Sequence, residues 1–148
     1  GHPGGHDHTQ DFGKIGILVC YDYHFPEAVR TLVLQGADIL FVPLAADGRL
    51  FENGISMGTE YSGKAIALDN RVPVVFAVTH ASTKNPSMII DNKAQVVAKS
   101  SDQEHIIAGV VDTKEKVFQW TGAEFKSIYR SDRRPELYGP LGEGASRK

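Results

Sequence analysis

Short apolar runs recur along this chain and predict β-strands. The run at residues 15–19 is continuously aliphatic, a pattern typical of a strand buried on both faces. The run at residues 39–42, closed by Pro43, predicts a second strand. A hairpin turn is predicted at residues 91–94, where polar residues separate two short apolar runs. Further strands are predicted over residues 72–78, 88–90, 95–98 and 105–111.

Two segments between these runs have the spacing of amphipathic helices. Residues 25–35 place apolar side chains on one face, with Pro26 at the first helical position and Gly36 just after the last. Residues 60–70 predict a second helix. The apolar residues that share one of its faces are Tyr61, Ala65 and Leu68. A strand, a helix and a strand in this order predict a parallel pair, and therefore an α/β fold.

The remaining segments lack this periodicity. The composition of residues 1–12 predicts a flexible N-terminal segment. That of residues 45–58 predicts a loop at the carboxyl end of the second strand. A short helix is expected after Asp112, and residues 131–148 predict an extended C-terminal arm. No repeat or linker divides the chain, so residues 1–148 are interpreted as one domain. Aromatic residues of a core or an interface are expected at Phe118, Trp120 and Phe125.

Composition is typical of a small globular domain. Of the 148 residues, 41% are hydrophobic and 23% are charged, and the formal net charge is −2. The chain has no excess of basic residues that would indicate a nucleic-acid partner, and no polybasic block that would indicate a membrane partner. It also has no apolar run long enough to span a bilayer. The first ten residues lack the apolar core of a signal peptide. A single cysteine excludes an internal disulfide and is typical of a reducing compartment, so we expect a cytoplasmic location.

The cysteine lies between the first predicted strand and the first predicted helix. Cys20 therefore follows an apolar run and precedes a helix N-terminus, which is a suitable position for a nucleophile. The alternative is a buried core cysteine, since free Cys is among the most buried residue types. We interpret His24 as a surface histidine rather than a base for the thiol, and Asp22 as a helix cap or an ordinary turn residue.

Other polar clusters receive structural interpretations, and no metal or cofactor is expected. Three histidines in the Gly-rich N-terminus are more typical of a solvated segment than of a metal site: His2, His6 and His8. Three glycines do not follow a strand as phosphate-binding loops do: Gly54, Gly58 and Gly63. A small basic cluster suits a solvated arm or a subunit contact: Arg130, Arg133 and Arg134.

Four segments, in order, carry a resemblance to a known family. Residues 13–22, which read Gly-Lys-Ile-Gly-Ile-Leu-Val-Cys-Tyr-Asp and are followed by Phe-Pro-Glu, resemble a nucleophile segment. Residues 35–40 resemble the segment that comes next. Residues 65–73 resemble a helix that usually reads Ala-Arg-Ala-x-Glu-Asn-x-x-Pro, with Asp69 in place of the glutamate. Residues 132–139 resemble a C-terminal arm. The family that these segments resemble is the nitrilase superfamily of carbon–nitrogen hydrolases.

The resemblance implies a fold and a chemistry. The superfamily folds as an α/β/β/α four-layer sandwich, of which this chain would be the C-terminal half. Its catalytic set is a Glu base, a Lys, a second Glu and a Cys, which attacks an amide, carbamoyl or nitrile carbon and passes through a thioester. Cys20 matches the nucleophile, and the backbone N–H of Tyr21 would be an oxyanion donor. The substrate would be a small-molecule amide or nitrile, closer to the amidase and carbamoylase branches, and the complete protein would be a homo-oligomer.

The chain also departs from the family pattern. The family's Glu, Lys and second Glu lie upstream of the cysteine, but residues 1–19 contain no Glu, and Lys14 matches the residue before the strand. We therefore expect a truncated chain without its base, which needs the missing N-terminal half and associates or is marginally stable alone. His80 replaces the more usual Asn, and Ser87 is interpreted as structural. The alternatives are a non-catalytic fragment or subunit serving assembly, or a small binding domain with a core cysteine.

Overall fold

A five-stranded mixed sheet forms the centre of the chain. The computed structural model describes residues 13–45, 59–79, 86–101 and 106–142. Within these residues the strands follow one another in the sheet in the same order as in the sequence. The strands are β1 (Ile15–Ile17), β2 (Ile39–Leu44), β3 (Val74–Val78), β4 (Met88–Ile90) and β5 (Val96–Lys99).

The first three strands are parallel and the last two are antiparallel. β1 pairs with β2, and β2 with β3, in parallel, whereas β4 runs antiparallel to both β3 and β5. Each parallel connection contains a helix, α1 (Pro26–Leu34) before β2 and α2 (Thr59–Asn70) before β3. The β4–β5 turn is closed by Asp91, whose Oδ1 accepts hydrogen bonds from the N–H groups of Lys93 and Gln95. The predicted strand–helix–strand unit and hairpin are thus confirmed.

The bounds of α1 follow from its sequence. Pro26 is its first residue, where the missing N–H of proline leaves no helical hydrogen bond unmade. After the helix, Gly36 has a φ of +100°, which lies in the left-handed region that favours glycine. The N–H of Gly36 donates to Val33 O at 2.9 Å, and the N–H of Ala37 donates to Leu32 O at 3.0 Å. This pair of bonds is a Schellman motif, which ends the helix at the predicted place.

Both long helices cover the same face of the sheet and form the core with it. Gly63 allows α2 to approach closely, because a Cβ there would lie 2.5 Å from Ile90 Cδ1 and 2.8 Å from Phe76 Cε2. The core residues contributed by the helices are Val29, Val33, Ile66 and Ala67. Those contributed by the strands include Leu40, Val42, Val74, Phe76, Met88 and Ile90.

The opposite face of the parallel strands is open, which contradicts one prediction. Ile15 and Ile17 are 58% and 62% exposed, whereas Gly16 between them is buried. The expectation of a first strand buried on both faces is therefore wrong for the described residues, because the helices cover one face only. Pro43, also exposed, lies inside β2 instead of closing it. Proline removes one ladder hydrogen bond without preventing an extended backbone.

Two further predictions need correction. Residues 106–111 form no strand, although the segment lies against the sheet, since a Cβ on Gly109 would approach Val97 Cγ1 to 2.8 Å. In α2, the predicted apolar face is the exposed one, with Tyr61 and Leu68 open to solvent. Most residues of the buried face are small or carry an amide, because the helix lies close to the sheet. That face consists of Thr59, Gly63, Ile66, Ala67 and Asn70.

The C-terminal segment is more ordered than the extended arm that the sequence predicts. It contains α3 (Phe125–Ser131), a 3-10 turn (Pro135–Leu137) and the four-residue helix α4 (Gly139–Gly142). α3 begins at Phe125 and not directly after Asp112. Trp120 is 94% exposed and Phe118 is also exposed, so these two aromatic residues are not part of a core among the described residues.

None of the side chains of α3 is buried, and polar contacts hold this helix on α1 and α2. The Arg30 guanidinium lies 4.0 Å from the Tyr129 ring centroid, and the Arg71 guanidinium lies 4.3 Å from that of Phe125. Lys126 Nζ is 3.2 Å from Asp38 Oδ1. These contacts place the C-terminal segment over the outer side of the helices, away from the open face of the sheet.

Candidate active site

Cys20 lies just beyond the carboxyl end of β1, the edge at which α/β sheets place their ligands. The chain still follows β2 after the strand ends, since the Leu18 N–H donates to Phe41 O at 3.0 Å. Cys20 is then the first residue of a 3-10 turn (Cys20–His24) that leads into α1. Its thiol is free and half-buried. The predicted position between a strand and a helix is confirmed.

The backbone of Cys20 has a conformation that residues other than glycine rarely adopt. Its φ is +49°, in the left-handed region. A side chain in this region costs roughly 1–2 kcal/mol, and such strain persists only where the surrounding structure holds it. Strained residues of this kind cluster at functional sites, and a nucleophile on a sharp strand-to-helix turn is a known case.

Asp22 stabilises this turn through the backbone. Its Oδ2 accepts a hydrogen bond from the Val19 N–H at 3.1 Å, and its own N–H donates to Val19 O at 3.1 Å. Of the two interpretations made from the sequence, the capping one is correct, although the helix that it caps is the 3-10 turn and not α1. The carboxylate is directed at the backbone, and no hydrogen bond joins it to the thiol among the described residues.

His24 is exposed and takes part in aromatic contacts. Its ring stacks on that of Tyr23 with centroids 4.2 Å apart, and it lies 5.5 Å from that of Tyr21. Tyr21 in turn meets Phe25 edge-on at 5.3 Å. The surface interpretation of His24 agrees with this placement. Among the described residues the thiol therefore has no hydrogen-bonded histidine or carboxylate.

Two backbone N–H groups at the start of the turn are free of helical bonds. The first 3-10 hydrogen bond is the one from the Asp22 N–H to Val19 O. The amides of Cys20 and Tyr21 come before this first donor, so neither has an acceptor inside the 3-10 helix. Such amides beside a nucleophile have the chemistry of an oxyanion hole.

The residues predicted to be structural or remote are placed as follows. Ser87 Oγ accepts a hydrogen bond from the Val78 N–H at 3.0 Å, and the Ser87 N–H donates to Ser100 Oγ at 2.9 Å, so it joins β3 to the hairpin. Lys14 precedes β1, six residues from Cys20, which is roughly 20 Å along an extended chain. Six of the residues singled out in the sequence lie outside the described residues: His2, His6, His8, Gly54, Gly58 and His80.

No cluster of three or more metal-ligating side chains occurs in the part of the chain that the structure describes. Within the same residues, no helix combines the length and the apolar character that are needed to cross a membrane.

Comparison with known proteins assigns the chain to a family. The model of the family described as "Carbon-nitrogen hydrolase" matches residues 4–115, a span that contains Cys20 and every strand and long helix of the sheet. This chain belongs to the carbon–nitrogen hydrolase family. The resemblance read from the nucleophile segment is confirmed, and the match ends before α3.

Curated relatives of this carbon–nitrogen hydrolase chain include amidases. It is 32% identical over 151 residues to the N-carbamoylputrescine amidase of Arabidopsis thaliana, covering 88% of this chain and 48% of the relative. It is 55% identical over 38 residues to the deaminated glutathione amidase of Synechocystis, covering 26% of this chain and 14% of the relative. The chain spans about half the length of the first of these relatives.

A solved structure shares the fold. The chain resembles the carbon–nitrogen hydrolase of Helicobacter pylori G27 with a TM-score of 0.66 and 24% identity, covering 90% of this chain and 50% of the other. The fold is therefore the α/β fold of the nitrilase superfamily, as the sequence predicts.

One residue beside the thiol carries no family signal in the sequence. Tyr23 is half-buried and meets Phe76 of β3 edge-on, with centroids 5.4 Å apart and planes at 88°. The sequence does not single out Tyr23, because it lies between the motif residues Asp22 and Phe25. The signal that could have found it is its spacing of three residues from Cys20, which in a 3-10 helix places two side chains on one face.

Proposed function

We propose that this chain supplies the nucleophile of an amidase-type hydrolase that acts on non-peptide carbon–nitrogen bonds of small amide or carbamoyl substrates. The observation that carries the proposal is the left-handed backbone of Cys20 at the end of β1, within the segment that matches the family. The Asp22 cap holds this conformation, and the free amide of Tyr21 lies next to the thiol. The amidase names of the two relatives described above are the ground for preferring an amide substrate, although other matching relatives are named nitrilases.

The reaction requires these groups in a fixed order. The Cys20 thiolate attacks the carbonyl carbon, and the negative charge that forms on the oxygen is stabilised by the Tyr21 N–H. The C–N bond then breaks, and the nitrogen leaves as ammonia or an amine after it takes up a proton. Water hydrolyses the resulting thioester and releases the acid. A general base must deprotonate first the thiol and then the water.

Among the described residues, no side chain is bonded to the thiol as its base. The base would therefore have to come from a partner. We propose that a Glu and a Lys come from a second sandwich half, which would cover the open face of the sheet at Ile15 and Ile17. The complete protein, which contains both halves, would be a homo-oligomer in the cytoplasm.

The experiment measures ammonia release from small amides and carbamoyl compounds. The chain is assayed alone and after mixing with a separately produced N-terminal half of a family relative. We expect activity only in the mixture and loss of at least about a hundredfold with Cys20→Ala, since a covalent nucleophile has no substitute in this route. Tyr21→Phe, which keeps the backbone N–H, is the matched control. Activity that survives Cys20→Ala would refute the assignment.

A second candidate function is a non-catalytic subunit that serves assembly, favoured by the absence of a base near the thiol among the described residues. The two proposals differ in the reactivity of the thiol. In the mixture with the second half, a catalytic Cys20 should react with iodoacetamide faster than a free cysteine at neutral pH. A rate equal to or below that of free cysteine supports the assembly role.

A further inference from the structure

Cys20 and Tyr23 share the inner face of the 3-10 turn. A 3-10 helix has three residues per turn, so side chains three positions apart are eclipsed. Of the five residues of the turn, Cys20 and Tyr23 pack against the core, whereas Tyr21, Asp22 and His24 are exposed. The aromatic side chain is therefore the nearest neighbour of the thiol along this face of the turn.

Tyr23 fastens the turn to two other elements. Its ring lies edge-on against Phe76, a fully buried residue of β3, with centroids 5.4 Å apart. The side chain of Ser62 in α2 lies close enough to the Tyr23 hydroxyl to lower the pKa of the phenol. On its other side the His24 ring stacks at 4.2 Å. A single side chain thus connects the turn to a core strand and to the helix packed on it.

The electrostatics agree with this placement. Burial raises the pKa of the Tyr23 phenol, and the charge of the nearby Cys20 thiolate raises it further, while the Ser62 side chain lowers it. The phenol stays neutral at physiological pH. It is therefore a packing and hydrogen-bonding group there, and does not bring a charge to the thiol.

We propose that Tyr23 is a positioning residue, which holds Cys20 in its left-handed conformation by packing the turn against Phe76. This inference rests on the proposed function insofar as Cys20 is the reacting group. The turn has to be held because its first residue is strained: without an anchor, Cys20 relaxes to an ordinary backbone conformation and the thiol changes its position at the end of β1. The Asp22 cap fixes the beginning of the turn, and Tyr23 fixes its inner face.

The test uses the chain itself, because its single cysteine makes every alkylation event a report on Cys20. The rate of reaction with iodoacetamide is measured from pH 6 to pH 10 and compared with that of the urea-unfolded chain. The plateau rate at high pH reports access to the thiol. In the wild type it should lie below that of the unfolded chain, because the side chain is half-buried.

Tyr23→Ala should raise the plateau rate of alkylation about fivefold, toward the rate of the unfolded chain. This is the size expected from the loss of one edge-to-face aromatic pair. Tyr23→Phe keeps the ring and should restore most of the wild-type behaviour. Tyr61→Ala is the matched control, since Tyr61 is an exposed tyrosine one residue from Ser62, and it should change nothing. A Tyr23→Ala chain that melts cooperatively and keeps the wild-type plateau would overturn the proposal, as would an equal effect of Tyr61→Ala.

A second pair of variants decides the matter if Tyr23→Ala does not fold. Tyr23→Phe and Ser62→Ala each remove one of two neighbouring hydroxyls, so each should raise the plateau by a similar small factor, and the double variant should add nothing. If the effects of Tyr23→Phe and Ser62→Ala on the plateau rate were additive, the two residues would not act together, and this part of the proposal would be overturned. Alkylation does not require turnover, so these results are independent of the hydrolysis assay. If Cys20→Ala abolishes hydrolysis while Tyr23→Ala leaves the plateau rate unchanged, Cys20 remains the nucleophile and the positioning role of Tyr23 is refuted.

Discussion

Val19 and Asp22 hold each other through two hydrogen bonds that enclose Cys20. The Val19 N–H donates to Asp22 Oδ2 at 3.1 Å, and the Asp22 N–H donates to Val19 O at the same distance. Because Cys20 lies inside this closed turn, its left-handed backbone depends on a carboxylate that is bound to the main chain. The motif residue that most resembles a base is therefore part of the scaffold.

Removal of this cap should both destabilise the chain and loosen the thiol. We expect Asp22→Ala to lower the free energy of unfolding by about 1 kcal/mol, as the loss of a capping side chain does, and Asp22→Asn to lower it less, because the amide oxygen still accepts. Urea unfolding measures both changes. Asp112→Ala is the control, since Asp112 Oδ1 accepts a similar bond from the Lys114 N–H at 2.8 Å. Only the Asp22 change should alter alkylation of Cys20, and equal changes would contradict this role.

Gly63 should not tolerate a methyl group. In an exposed helix Gly→Ala stabilises by about 1 kcal/mol. At Gly63 the added Cβ would meet Ile90 and Phe76 at 2.5 and 2.8 Å, so α2 must move away from the sheet, which we expect to cost about 1–3 kcal/mol. Thermal melting of Gly63→Ala should show the loss. Gly139→Ala, with nothing within 4 Å of the added atom, should melt no lower than the wild type; a more stable Gly63→Ala would show that the packing is loose.

Glu60 should give the chain a stability that fades in acid. Hydrogen bonds from Lys64 and Lys99, at 2.8 and 2.9 Å, lower the pKa of Glu60 to about 2. Its unfolded value is about 4.3, so the native carboxylate binds a proton less readily than the unfolded one, and stability falls as the pH drops from about 4.3 toward 2. The side chain is 32% exposed, so the contribution is about 1 kcal/mol or less.

Melting temperatures between pH 2 and pH 7 test this assignment. Glu60→Gln should be less stable than the wild type at pH 7, and the two curves should converge below pH 3. Glu124→Gln, at the start of α3, is the matched control for the loss of a carboxylate. Curves that stay parallel for Glu60→Gln down to pH 2 would contradict the assignment.

The parts of the fold that local chemistry dictates could be predicted from the sequence. Pro26 and Gly36 mark the ends of α1 through a fixed φ and a left-handed one, and Asp91 closes the hairpin through its own side chain. The position of Cys20 between strand and helix also follows from local signals. In these cases the deciding interactions lie within a few residues of one another.

The rest depends on contacts between distant segments. The apolar pattern of residues 15–19 cannot show which face of the strand is covered; an exposed sheet face is expected only from the resemblance to half of a sandwich. In α2, Gly63 and Asn70 form the buried face because the sheet is close, whereas composition favours Tyr61 and Leu68. The role proposed for Tyr23 likewise depends on Phe76 and Ser62, which are far away in sequence.

The docking of α3 should be separable from the stability of the sheet. Arg30 and Arg71 hold this helix by stacking on Tyr129 and Phe125, and none of its side chains is buried. Replacement of both aromatic residues by Leu should release α3, because each cation–π contact contributes only about 0.5–2 kcal/mol. Hydrogen exchange in residues 125–131 should rise at least tenfold while exchange in β2 and β3 stays slow. Trp120→Leu, at a 94% exposed site, should leave both unchanged; loss of protection in β2 would show that α3 belongs to the core.

The open face of the parallel strands should make the chain associate. Ile15 and Ile17 are more than half exposed on a face that the described helices do not cover, and burial of an isoleucine is favourable by roughly 1.5–3 kcal/mol. Sedimentation velocity over a range of concentrations should show self-association, which Ile15→Lys with Ile17→Lys should reduce. Leu68→Lys, on the exposed face of α2, is the control and should not. A wild-type chain that remains monomeric at every concentration, or a Leu68→Lys chain that dissociates equally, would show that this face of β1 is not the contact surface, and with it the proposed covering by a second half would lose its support.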